Sequence, residues 1–128
     1  MNKKHIIALT VAATLLVGCA RTAPVHNVSQ TLTQRYSDNQ MKTAIIEAGI
    51  NRKWVMTPVS PGVINGHLAQ RGFAANIRVN YSPQSYSIQY VSSENLNAEG
   101  GKIHANYNRW VNNLDQDIQL RLAAQAVK

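Results

Sequence analysis

The carboxylates are the first side chains to weigh for chemistry: Asp38, Glu47, Glu94, Glu99, Asp115 and Asp117. A glycosidase-type pair needs two of them converging from different elements. Asp115 and Asp117 stand two apart in a helical stretch, where such neighbours do not face each other. Glu94 and Glu99 share one loop. Of the four histidines, the three beyond the first 18 residues, His26, His67 and His104, show no zinc-site spacing; a surface or capping role is commoner for such residues than a ligand role. No serine sits in a nucleophile elbow. Gly100-Gly101-Lys102 ahead of a helix can present backbone N–H groups to an anion, although paired glycines more often just turn the chain. The reading is therefore of a non-enzyme with no catalytic, metal or cofactor site. The best cluster is His104, Asn106, Tyr107 and Arg109, with Asn108 among them. It combines donors with an aromatic face at a helix start, as sugar and headgroup sites do. The competing reading puts Tyr107 in the core and leaves the polar residues to cap the helix or face water.

Cys19 is the other chemical residue, and the only cysteine in 128 residues. Met1 to His5 is a short basic start, and Ile6–Val17 is an apolar run of 12 residues. A membrane-spanning helix needs about 20, so the run reads as the core of an export signal. Leu16-Val17-Gly18-Cys19 resembles the lipobox of bacterial lipoproteins. The resemblance implies a diacylglyceryl group on the Cys19 thiol, a cut after Gly18 and acylation of the new amine. An exported compartment is oxidising, so a lone thiol there would be a reactive leftover; a thioether is not. Ala20 stands where an inner-membrane retention aspartate would, which by analogy favours the outer membrane, on its periplasmic side.

The formal charge of +7 falls to +5 when Lys3 and Lys4 leave with residues 1–18. A basic balance suits nucleic acid, but an exported chain meets none. The cations are scattered in sequence, the pattern of a solvated surface, with a weak attraction for anionic lipid, lipopolysaccharide or cell-wall polymer through Arg71, Arg78 and Lys102.

The elements that must position these residues follow from periodicity. Residues 19–36 are the lipidated cysteine and a polar stretch without period, read as a flexible tether; about 17 residues extended reach roughly 56 Å. Residues 37–128 form the domain. Ser37 and Gln40 have capping-box spacing, and Met41, Ala44, Ile45 and Ala48 predict a helix over about 38–49 that stops at Gly49. The period then changes to 2, giving four strands between Trp54 and Tyr90, broken at Pro58-Val59-Ser60-Pro61-Gly62, Gln70-Arg71-Gly72 and Ser82-Pro83-Gln84. Residues 92–103 are a loop. Tyr107, Trp110, Val111, Leu114, Ile118 and Leu122 predict a helix over about 105–126, with Asn106, Arg109 and Asp117 on its wet side. The fold expected is α+β, order α-β-β-β-β-α: a four-stranded antiparallel sheet with two helices packed on one face. Trp54, Phe73, Tyr86 and Trp110 are expected to supply much of the burial.

The stretch from Ile45 to Ile118 resembles a family of small Gram-negative bacterial lipoproteins of uncharacterised activity. The residues concerned are Ile46-Glu47-Ala48-Gly49, Trp54, Met56, Pro61-Gly62, Arg71-Gly72, Tyr81-Ser82 and Ser85-Tyr86-Ser87-Ile88. The most distinctive run is Ile103-His104-x-Asn106-Tyr107-Asn108-Arg109-Trp110-Val111. The resemblance implies an envelope address and transfers no binding residue. The function expected is that of a membrane-anchored accessory or interaction module. Its partners would be the membrane, through lipid on Cys19, and an envelope protein; the alternative is a binder of an anionic glycan or lipid. An enzyme acting on cell-wall polymer through Glu94 or Glu99 is the third reading.

Overall fold

A computed structural model of the chain describes residues 22–126. The export signal expected over 1–18, and Cys19 itself, lie outside the described residues. Nine elements follow in order: β1 (Thr22–Pro24), β2 (Val28–Thr31), α1 (Asp38–Asn51), β3 (Val55–Ser60), β4 (Val63–Gln70), β5 (Phe73–Ser82), β6 (Ser85–Glu94), β7 (Lys102–His104) and α2 (Ala105–Ala126).

The α+β class and the antiparallel pairing stand as expected; the strand count does not. The main sheet has five strands in the order β2-β6-β5-β4-β3, and β1 and β7 form a separate two-stranded sheet. β1 and β2 come from the stretch expected to be a flexible tether, and the expected loop over 92–103 is corrected at both ends, since β6 runs to Glu94 and β7 begins at Lys102. Val28 to Thr31 pair with Ile88 to Ser85, and Thr22 to Pro24 pair with His104 to Lys102. Strands of three and four residues are too short to show a period of 2, and their partners lie more than 50 residues away, so local pattern carried no trace of them. Val28 and Tyr36 are buried in the core. The tether reading is thus corrected from Thr22 onward.

α1 opens as its sequence dictates. Gln40 N donates to Ser37 Oγ at 3.0 Å and Ser37 N donates to Gln40 Oε1 at 2.9 Å, which satisfies two orphan amides reciprocally. Its end differs from the expectation. Gly49 does not stop the helix; it makes room for Met56, whose Cγ would lie 2.3 Å from a Cβ placed there. The chain turns after Asn51 instead. Lys53 N donates to Ile50 O at 3.0 Å and Trp54 N to Gly49 O at 2.8 Å. These are the two bonds of a Schellman motif, whose left-handed position is usually glycine. Here Lys53 occupies it, at φ +72°.

Both helices cover one face of the sheet. Met41, Ala44, Ile45 and Ala48 from α1, and Tyr107, Val111, Leu114, Ile118 and Leu122 from α2, meet Ile64, Leu68, Ile77, Val79, Tyr86 and Ile88. A fully buried side chain of this size contributes about 1.5–3 kcal/mol. Asp117, expected on the wet side of α2, is buried: it accepts from Asn51 Nδ2 at 3.1 Å and lies 3.6 Å from Arg121 Nε. Asp115 is buried too, and accepts from Tyr86 Oη at 2.6 Å and Gln30 Nε2 at 3.0 Å. Phe73 and Trp110 are only half-buried, because both border a cleft. The other face of the sheet is bare. It carries amides and hydroxyls joined across strands, among them His67 to Asn76 at 2.7 Å and Asn76 to Ser92 at 2.9 Å.

Candidate functional site: a basic cleft at one end of the fold

α1 and α2 run antiparallel: Gln125 near the end of α2 bonds Gln40 at the start of α1, and Asn51 at the end of α1 bonds Asp117. The C-terminus of α1, the start of β3, the β4–β5 turn and the first turns of α2 therefore gather at one end of the molecule. They enclose a cleft of about 430 Å³, within the size range of small-ligand sites.

α1 and its cap supply Asn51, Arg52 and Lys53, followed by Trp54. β4, β5 and their turn supply Leu68, Gln70, Arg71 and Phe73. α2 supplies Asn106, Arg109, Trp110 and Asn113, a set spaced at three, four and seven residues and so on one helix face. Four cations line the cleft and no carboxylate does. Among the described residues the ion pairs are those of Arg121 with Glu47 and Asp117, so none of the four is neutralised by a carboxylate. Arg109 donates to the Asn106 side-chain oxygen, which steadies the guanidinium without cancelling its charge. The indole N–H of Trp54 is buried without a partner.

Two of the four cations sit on left-handed backbone. Lys53 caps α1, as above. Arg71 and Gly72 have φ +52° and +83° and form the two-residue loop between Gln70 and Phe73, the type I′ geometry that favours Asn-Gly. A non-glycine residue held there costs of order 1 kcal/mol or more, and such strain clusters at functional sites. Both residues held in this way line the same cleft.

The residues expected from sequence to bind a ligand separate. Asn106 and Arg109 reach the cleft. His104 stands beside it: its Nδ1 accepts from Asn106 N at 3.0 Å, capping α2, and its ring lies 5.8 Å from that of Phe73. Tyr107 is fully buried, edge-on to Tyr90 at 5.5 Å, and has no surface to offer. Its inclusion in the ligand set is corrected: the motif places every fourth residue, Ile103, Tyr107 and Val111, in the core. Asn108 takes a structural role, accepting from His26 N at 3.0 Å and donating to Pro24 O at 2.9 Å, which pins the β1–β2 link to α2. Of the scattered cations, Arg71 joins the cleft, Arg78 lies on the bare sheet face against Asn65, and Lys102 lies in β7. Gly100 and Gly101, at φ +59° and +79°, turn the chain between Glu99 and Lys102, which exchange backbone bonds at 2.9 and 3.0 Å. Glu94 ends β6 opposite Ala74. Neither glutamate faces the cleft.

Arg52, Lys53 and Trp54 were missed as site residues. The available signal was Lys53 itself, a lysine where a helix stop wants glycine. Among the described residues no three His, Cys, Asp or Glu side chains converge as metal ligands, and no helix is long and apolar enough to cross a membrane. In comparisons with known proteins, no family model and no curated sequence matches the chain.

Proposed function

We propose that this chain is a lipid-anchored, non-catalytic module of the bacterial envelope, held through Cys19 in the outer membrane, whose cleft takes an anionic envelope component. The lipobox-like run Leu16-Val17-Gly18-Cys19 and the resemblance to small Gram-negative lipoproteins support the address. The observation that carries the function is the cleft itself: Arg52, Lys53, Arg71 and Arg109 converge with no carboxylate among them. Guanidinium groups match the oxygens of phosphate or carboxylate two at a time. Trp54 and Trp110 are the two tryptophans of the chain and both border the cleft, so ligand uptake should register in their fluorescence.

The test uses the mature lipidated protein in neutral detergent, titrated with glycerol phosphate. Saturable quenching that weakens as salt rises, and that is lost in Arg71→Ala and in Arg109→Ala, is the expected result. No fluorescence change, or one indifferent to ionic strength, would remove the anion-binding role. A second reading, docking of an envelope protein, is favoured by the uncovered sheet face. Loss of reproducible cross-links to a partner on Arg78→Glu, with the cleft variants unaffected, would support it.

A further inference from the structure

We infer that the cleft's ligand is a phosphate-bearing, amine-free headgroup of the same lipid leaflet in which the chain is anchored. This rests on the anchored, anion-binding reading above and goes beyond it by assigning the ligand class and its source.

Only Ala20 and Arg21 separate Cys19 from Thr22, the first residue of β1. Three residue steps span at most about 10 Å. Thr22 is paired directly with His104, and neighbouring strands lie about 5 Å apart. The His104 ring is 5.8 Å from Phe73, which borders the cleft, and Asn106 and Arg109 follow His104 at once. The bond from Asn108 to Pro24 O holds β1 in that place. A lipid on Cys19 therefore keeps this end of the molecule at the headgroup layer. It has no long tether on which to reach a polymer tens of ångströms away.

Beside Arg52 and Lys53 stands Ile50, 63% exposed at the end of α1. Trp110 is half-exposed next to Arg109. Aromatic rims, an exposed aliphatic and long basic side chains are the combination that settles at a membrane interface.

Zwitterionic headgroups carry an ammonium group as well as a phosphate. The cleft offers that ammonium no carboxylate and surrounds it with like charge. It offers the amides of Gln70 and Asn113 instead, which suit hydroxyl groups. A phosphodiester carrying a hydroxylated, uncharged substituent fits both features; a choline or ethanolamine headgroup fits neither.

The experiment compares three arms with the full mature lipidated protein. In the first, glycerol phosphate is titrated in neutral detergent. In the second, the protein is anchored in phosphatidylcholine vesicles with rising phosphatidylglycerol, the phosphatidylglycerol being brominated in its acyl chains, and tryptophan quenching is read. In the third, twelve Gly-Ser residues are inserted between Arg21 and Thr22 and both measurements are repeated. The expected result is quenching by brominated phosphatidylglycerol that saturates, is absent when brominated phosphatidylethanolamine replaces it, and falls in Arg71→Ala. The inserted linker should raise the phosphatidylglycerol fraction needed for half-saturation severalfold, since it dilutes the local ligand, while glycerol phosphate binding stays unchanged. Glycerol phosphate binding without vesicle quenching would overturn the headgroup assignment and leave the anion site standing. Vesicle quenching unaffected by the linker would overturn the role of the short link. No response in either detergent or vesicles would sink both readings together.

Discussion

Tyr86 shows how much a single hydroxyl group holds in this molecule. It donates to the buried Asp115 at 2.6 Å, and Gln30 and Gln119 donate to the same carboxylate at 3.0 and 3.2 Å. Burial, and then the bond and charge of Asp115, push the Tyr86 phenol well above its ordinary value. Burial, with Tyr90 beside it, does the same for Tyr107. Both rings fold only as neutral phenols, whereas the unfolded chain gives up those protons near pH 10. Their stabilisation is therefore complete below pH 10 and is lost as pH rises above it. Urea unfolding measured from pH 8 to pH 12 should show falling stability over that upper range; a flat profile would contradict it. Tyr86→Phe should cost about 1.5–3 kcal/mol at pH 7, the usual value of a hydrogen bond to a charged group, and should also flatten the alkaline decline. At this scale the sequence was partly legible. Asn106 and Arg109 were picked from residue type at a helix start and do line the cleft; for Tyr107 the apolar period, which put it on the core stripe, was the better guide than residue type. Asp117 was placed in water because a carboxylate usually is; Asn51, distant in sequence, satisfies it.

The two helix starts lie where the sequence put them, whereas several other ends do not: β3 runs on through Pro58 to Ser60 and β6 to Glu94. The capping box at Ser37 and the start of α2 at Ala105 were readable because each is a local pattern. The close of α1 was not, because Lys53 takes the left-handed position and Gly49 serves Met56. The strain at Lys53 and Arg71 gives an opposed pair of effects. Lys53→Gly and Arg71→Asn should each stabilise the fold by about 0.5–1 kcal/mol, since both replacements suit positive φ, and each should weaken anion binding by removing a cleft cation. Thermal melts alongside fluorescence titrations would check this. A variant that lost both stability and binding would show that the side chain, not the backbone, sets the balance. Trp110 is redrawn on the same grounds. As a half-exposed cleft residue its truncation should cost less than the about 3–5 kcal/mol of a buried aromatic, and should act on binding first.

For the whole molecule, the helices and the four-stranded meander were legible from periodicity, while the fifth strand and the small second sheet were not. β1 and β2 are held by partners far along the chain: Thr22 by His104, Val28 by Ile88, Gln30 by Asp115 and the link between them by Asn108. Asn108→Ala should therefore speed amide exchange across residues 22–31 while leaving β4, β5 and β6 protected. Uniformly faster exchange would mean that β1 and β2 unfold only with the core. The edge strand β3 carries a different consequence. Pro58 can give no N–H to a neighbour, and the register shift between Pro58 and Ser60 bends the strand there. Chains confined to two dimensions meet one another far more often than chains in free solution. On the anchored reading proposed above, a proline and a kink at the β3 edge of the sheet keep such encounters from zipping strand to strand along that edge.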